Sequence, residues 1–266
     1  MYSVDIKTLP ISPYGAGAVD LYLPVGVSAP PVIVYFHGGG LEGGDRTSDR
    51  ELYMDAAQNG VAVAAADYRV YPEARYPQFV EDAAAAAAFV QKNAAALGLG
   101  PVYVGGSSAG AYLSMMLCFA ESFLQKYGLH AGDFAGWFFD AGQPTTHYNV
   151  LRERGEDTRL IRVDEAAPLY YITRDFKGEL PSLQMIVADG DMPSRPEQNL
   201  LLRAALLHFG YPAEKIGFRM MRGYGHCGYG GEEKDGRRIL GKMITDFIKT
   251  GPFGCWEGSV FRGDFD

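Results

Sequence analysis

An α/β fold, with a mostly parallel eight-stranded sheet and helices on both faces, is predicted by three features of the sequence. Strand-like and helical segments alternate through most of the chain, and that alternation builds parallel sheets with covered faces. The runs at 32–36, 61–66 and 102–104 are apolar throughout rather than alternating, as strands buried on both faces are. The alanine-rich stretch at 78–97 has the length and composition of a helix lying against such a sheet.

Residues 2–7 and 19–23 read as short alternating strands, separated by Pro10, Pro13, Gly15 and Gly17 and ended by Pro24. This hairpin-like opening puts Val19, Leu21 and Leu23 on one face. After the third strand, Ser48-Asp49-Arg50-Glu51 reads as a capping box opening a helix to about Asn59, with Gly60 beyond it. A strand at 61–66 follows, then a polar, proline-rich connection at 67–77. The helix at 78–97, closed by Gly98, leads to the strand at 102–104, and a further helix is expected over 109–126. Trp137, Phe138 and Phe139 mark a sixth strand at 134–140. The alternation then breaks: 143–180 carries Tyr148, Tyr170 and Tyr171 among Arg152, Glu153, Arg154 and Asp157, and reads as a short lid-like insertion. Regularity returns with a strand at 183–188, a helix at 196–209, a strand at 215–221 and a helix at 232–249. The tail at 251–266 carries Phe253, Trp256, Phe261 and Phe265, which would expose an apolar patch unless packed on the body or on a second subunit. It leaves homo-oligomerisation open. The 266 residues are read as one domain.

With a hydrophobic share of 47% and a charged share of 21%, the composition is that of an ordinary globular domain. The net charge of -8 and the lack of a basic cluster argue against nucleic acid or an anionic membrane as partner. Three cysteines, Cys118, Cys227 and Cys255, sit at no metal-like spacing, so a disulfide framework is not expected and the cytoplasm is the expected compartment. The opening MYSVDIKTLP lacks the charged and apolar regions of a secretory signal. The alanine run at 83–88 is too short to span a bilayer.

Chemistry enters at 102–116, read as VYVGGSSAGAYLSMM. Gly106, Ser108 and Gly110 form G-x-S-x-G between a strand and a helix, where a sharp turn projects a serine hydroxyl outward and glycines allow close approach. Ser108 is therefore the candidate nucleophile. A second signal, His37-Gly38-Gly39-Gly40, directly follows the third strand. An acyl-transfer site needs backbone N–H donors where the tetrahedral oxyanion forms, and these are assigned to Gly39, Gly40 and Ala109. A serine also needs a base and an orienting carboxylate, which in this strand-turn-helix context follow in the order Ser, Asp or Glu, His. Among histidines after Ser108, His226 lies in a glycine-rich loop just past a strand, whereas His130 and His147 lie in earlier connections and His208 lies in a helix. His226 is the candidate base, and His37 is expected to shape the glycine loop. For the acid, Asp191 is preferred over Asp189, which directly continues the seventh strand; Asp140, after the sixth, is a third candidate.

With these motifs the chain resembles the α/β-hydrolase superfamily, specifically its hormone-sensitive-lipase-like carboxylesterases. Asp67-Tyr68-Arg69-Val70-Tyr71-Pro72-Glu73, followed by Tyr76-Pro77 and Glu81-Asp82-Ala83, is similar to that family's D-Y-R-x-x-P-E stretch and the helix behind it. The resemblance covers about 32–247 and implies an α/β-hydrolase fold, a Ser-His-Asp triad, and an oxyanion hole at Gly39, Gly40 and Ala109. The chain departs from the family at Ser107, where relatives often have an acidic residue, and at Ala111, where they often have glycine. The expected activity is hydrolysis of small, short-acyl esters through an acyl-enzyme, with no cofactor and no metal. Peptide or amide hydrolysis, feruloyl- or acetyl-type esterase action on carbohydrate esters, and a non-catalytic ligand-binding homologue are the alternatives. Three strands use most of the 36 residues before His37, so any cover over the site is expected from 143–180; its interspersed charges imply a shallow, partly polar pocket.

Overall fold

The computed structural model describes residues 1–11, 17–172, 176 and 179–254. Trp256, Phe261 and Phe265 of the aromatic tail, and Pro13 and Gly15 of the first turn, lie outside them. Strands β1 (Val4–Pro10) and β2 (Ala18–Pro24) pair antiparallel. They are followed by β3 (Val32–Phe36), α1 (Arg50–Gln58), β4 (Ala62–Ala66), α2 (Gln78–Asn93), β5 (Val102–Ser107), α3 (Ala109–Phe119), α4 (Ser122–Gln125) and β6 (Gly136–Asp140). The insertion carries α5 (Tyr148–Glu153), and β7 (Ser182–Gly190), α6 (Arg195–His208) and β8 (Ile216–Gly225) resume the alternation. A two-stranded ribbon, β9 (Glu233–Lys234) and β10 (Arg237–Arg238), precedes α7 (Ile239–Thr250).

The main sheet has eight strands in the order β1-β2-β4-β3-β5-β6-β7-β8. From β4 to β8 every neighbouring pair is parallel, while β2 joins β4 antiparallel. Because side chains alternate across a strand, each strand feeds two cores. Val32, Val34, Phe36, Val104, Trp137 and Phe139 pack with α2, α3 and α6. Ile33, Tyr35, Val63, Phe138 and Ile186 pack with α1 and α7 on the other face. No helix among the described residues is long and apolar enough to cross a membrane.

Four expected boundaries move, each for a visible reason. The Ser48 hydroxyl accepts the N–H of Asp45 at 2.9 Å, and Glu51 pairs with Arg238, so neither closes a capping box; α1 starts behind Asp49 without a side-chain cap. Helix α2 stops at Asn93, and the chain turns through Gly98 at φ 70°, with the Leu99 N–H bonded to the Ala94 carbonyl at 2.8 Å. The helix expected over 109–126 breaks at Ala120, where ψ 80° turns the chain, and α4 follows. The helix expected from residue 232 begins at Ile239, because Asp235 and Gly236, at φ 55° and 73°, form the tight turn of a hairpin. An Asp-Gly pair favours that turn.

The end of β3 and the start of α3 approach so closely that side chains are excluded. A Cβ on Gly110 would lie 1.9 Å from the Phe36 carbonyl oxygen, and one on Gly106 would lie 2.4 Å from it. At Gly98, by contrast, a Cβ would meet nothing within 4 Å. Gly110→Ala is therefore expected to destabilise the chain by at least about 2 kcal/mol through overpacking, and Gly98→Ala by about 1 kcal/mol through its positive φ. Urea unfolding of the two variants beside the wild type checks this ranking.

Candidate active site

Strand β5 ends at Ser107, and Ser108 takes φ 54° and ψ −112°, a conformation L-residues adopt only under constraint. The constraint is visible on two sides: the Ser108 N–H bonds to the Asp140 carbonyl at 2.7 Å, and its carbonyl accepts from Tyr112 N–H at 3.0 Å as α3 begins. The result is a serine hydroxyl at the carboxyl end of a central strand.

The β7–β8 pairing is irregular between Ala188 and Gly190, and such a bulge re-aims the residues that follow. Asp189 turns to β8, where its Oδ1 accepts the Gly223 N–H at 2.8 Å. Asp191 turns inward, its side chain fully buried. Its Oδ1 accepts the Met192 N–H at 2.6 Å and lies 2.6 Å from His226 Nδ1. His226 sits past the end of β8 in a turn with Cys227 at φ 53°, and its Nε2 lies 2.8 Å from Ser108 Oγ. A carboxylate on Nδ1 fixes the proton there, leaving Nε2 to accept from the serine. The three side chains thus form one hydrogen-bonded line, Asp191 to His226 to Ser108.

The glycine loop passes over this line. A Cβ on Gly38 would contact Ser108 Cβ at 3.5 Å. Gly39 and Gly40 have φ 111° and 66°, and no acceptor among the described residues takes their N–H groups. The N–H of Ala109, first residue of α3, is likewise outside the helix's own bonding. His37 is buried, with Nδ1 2.6 Å from the Gly38 carbonyl and its ring stacked 4.3 Å from Tyr68. Burial lowers its pKa and keeps it neutral, so it braces the loop. The D-Y-R stretch braces it from behind: Arg69 forks onto the buried Asp82 carboxylate at 2.7 and 2.8 Å, tying the connection to α2.

Asp140, one of the three acid candidates, does not reach His226. Its carboxylate accepts from Ser107 Oγ at 2.5 Å and from the Tyr229 hydroxyl, and Ser107 also meets Tyr35 Oη at 2.6 Å. This buried network joins β3, β5, β6 and the turn carrying His226, and the sequence reading did not foresee it. The sequence reading likewise missed Arg195, buried at the start of α6, which bonds the Ala141 carbonyl at 2.6 Å and Gln143 Oε1 at 3.1 Å. Among the described residues no group of three His, Cys, Asp or Glu side chains could hold a metal ion. A cleft of about 1240 Å³ lined by Cys118, Phe119, Tyr170 and Tyr211 includes neither Ser108, Asp191 nor His226, so cleft size alone would misplace the site.

Superposed on solved structures, the chain matches a bacterial heroin esterase with TM-score 0.72 at 20% identity, covering 94% of this chain and 84% of that one. It matches an esterase from Pyrobaculum calidifontis with TM-score 0.71 at 23% identity, covering 93% and 85%. The chain has the α/β-hydrolase fold. The BD-FAE family model matches residues 19–131 of the chain, the stretch holding the glycine loop and Ser108. The carboxylic ester hydrolase LipN of Mycobacterium tuberculosis is 39% identical over 121 residues, 43% of this chain and 32% of that protein. An acetyl esterase of Salmonella schwarzengrund is 36% identical over 107 residues, 39% and 33% respectively. The chain thus spans about a third of the length of the curated relatives it matches.

Burial pushes the Asp140 carboxyl up to about 6, against the hydrogen bonds from Ser107 and Tyr229 that pull it down. A carboxyl raised in the folded state binds its proton more tightly there than when unfolded, so stability falls as pH rises from about 4 to about 6. Two pKa units correspond to about 3 kcal/mol. Asp140→Asn removes this titration. Relative to wild type, the variant's unfolding free energy is expected to rise by up to about 3 kcal/mol between pH 4 and pH 7. Chemical denaturation at several pH values checks both sign and size.

Proposed function

We propose that the chain is a serine carboxylesterase acting on small, short-acyl esters. The observation that carries this reading is the unbroken line from Asp191 through His226 to Ser108, with contacts of 2.6 and 2.8 Å, beneath a glycine loop with free N–H groups. Ser108 Oγ attacks the ester carbonyl while its proton passes to His226 Nε2, and Asp191 stabilises the imidazolium. The oxyanion accepts from the N–H groups of Gly39, Gly40 and Ala109. Collapse expels the alcohol, which takes the proton back from His226. Water then attacks the acyl-enzyme with His226 as base and frees Ser108. These steps call on no cofactor or metal.

Short acyl groups are supported by the insertion at 143–180, whose ion pairs Arg154–Asp164 and Arg162–Glu156 give it a polar character, and by relatives named acetyl esterases. We read the chain as one domain with this insertion as the cover of its site. The buried, unpaired Cys118 and the unpaired Cys227 support a reducing compartment, the cytoplasm.

A panel of nitrophenyl esters tests the proposal. Acetyl to butyryl esters are expected to turn over faster than esters of eight or more carbons. Each further methylene would add about 0.8 kcal/mol only while the pocket has room, so kcat/KM climbing through the decanoyl ester would contradict the short-acyl assignment. In the same assay Ser108→Ala is expected to abolish turnover, and Asp191→Asn to lower kcat roughly ten-thousandfold by favouring the wrong imidazole tautomer. Asp189→Asn keeps an acceptor for the Gly223 N–H and is expected to retain most activity.

A further inference from the structure

Tyr148, the first residue of α5, brings the insertion directly onto the glycine loop. An ideal Cβ on Gly40 would lie 2.1 Å from Tyr148 Oη and 3.3 Å from its Cζ, so the hydroxyl rests against the Cα of a residue assigned to the oxyanion hole. The ring is held on two sides, by His147 with centroids 4.4 Å apart and by the Arg152 guanidinium 5.9 Å from its centroid. His147 is buried and in turn packs 5.1 Å from Tyr112 of α3. Arg152 pairs with Glu42, two residues beyond Gly40, so α5 and the glycine loop are clipped together at two points. The phenol ring is thus fixed, half-buried, and aimed. Its hydroxyl makes no hydrogen bond to any described residue, although every feature around it acts to hold it in place.

We propose that the Tyr148 hydroxyl is a further catalytic donor, giving a hydrogen bond to the oxygen of the reacting ester beside the backbone N–H groups of Gly39 and Gly40. This rests on the esterase reading above. A neutral donor placed where charge develops strengthens its bond as the carbonyl oxygen becomes an oxyanion, and so stabilises the transition state more than the bound ester. Burial and the Glu42 carboxylate push the phenol pKa up, so the group keeps its proton across the working pH range. The same contact explains why residue 40 is glycine: any side chain there would displace the hydroxyl.

Tyr148→Phe removes the donor and keeps the wall. Because the hydroxyl makes no hydrogen bond among the described residues, the variant is expected to melt with the wild type. Its kcat on nitrophenyl acetate is expected to fall about tenfold to hundredfold with KM unchanged, the signature of an interaction made only in the transition state. Affinity for an alkyl boronic acid, which forms a tetrahedral adduct on the serine, should fall by the same factor. A Tyr148→Phe enzyme whose kcat and boronate affinity stay within about twofold of wild type overturns the assignment, as does one that changes KM or chain-length preference alone, since that is the behaviour of a wall. Ser108→Ala in parallel separates the two levels of inference. Ester turnover lost in Ser108→Ala but undiminished in Tyr148→Phe overturns the donor alone. A wild type without ester turnover overturns the esterase reading and the donor with it.

Discussion

The contact between the Phe36 carbonyl and the glycines of the elbow is the constraint on which the rest of the site depends. With Gly106 and Gly110 both against that oxygen, strand β3 and helix α3 sit closer than any side chain permits. Two consequences follow from this one approach. The chain leaving β3 has to pass over Ser108, which brings the Gly38 backbone against the serine side chain. The strand-to-helix turn also has to be sharp, which forces Ser108 into its positive-φ conformation. The candidate nucleophile and the proposed oxyanion donors are therefore set by a single packing contact rather than by two independent ones, and the strain at Ser108, of order 1–3 kcal/mol, is held by the β3–β5–β6 pairing on either side.

The sheet, the glycine loop and the elbow were legible in the sequence because each rests on a local chemical necessity. Short apolar runs rich in β-branched and aromatic residues, such as 32–36, read as buried strands, and glycines at 38–40, 106 and 110 mark backbone that must approach backbone. The arrangement of Asp191, His226 and Ser108 was legible in order, but its geometry depends on a bulge at 188–190 that no residue type announces. What escaped was of two kinds. The Asp-Gly turn at 235–236 was a readable hairpin signal overlooked inside an expected helix. The Asp140 network and Arg195 gave no signal at all, because a buried polar residue looks like any loop or strand-end polar residue until its partners, 33 and 54 residues away, are known.

Those partners deserve a physical account. Among the described residues, Asp140 is a carboxylate served only by hydroxyl groups and Arg195 is a guanidinium whose hydrogen bonds go to neutral acceptors. Burial disfavours either charge, and the nearby Asp191 carboxylate offsets part of that penalty at Arg195. Both lie next to the Asp191–His226–Ser108 line rather than in the distant core, Asp140 behind the elbow and Arg195 behind the loop that carries Asp191. Ser107, the residue before the candidate nucleophile, is joined to a carboxylate of the neighbouring strand, Asp140.

The eight-stranded order puts Ser108 near the middle of the sheet but hangs His226 from β8, at its margin. A marginal strand is held by one ladder where a central one is held by two, but the β7–β8 ladder is longer than any other parallel pairing in the sheet. The candidate nucleophile and base, 2.8 Å apart, are therefore carried by strands anchored in different ways, one between two short ladders and the other along a single long one.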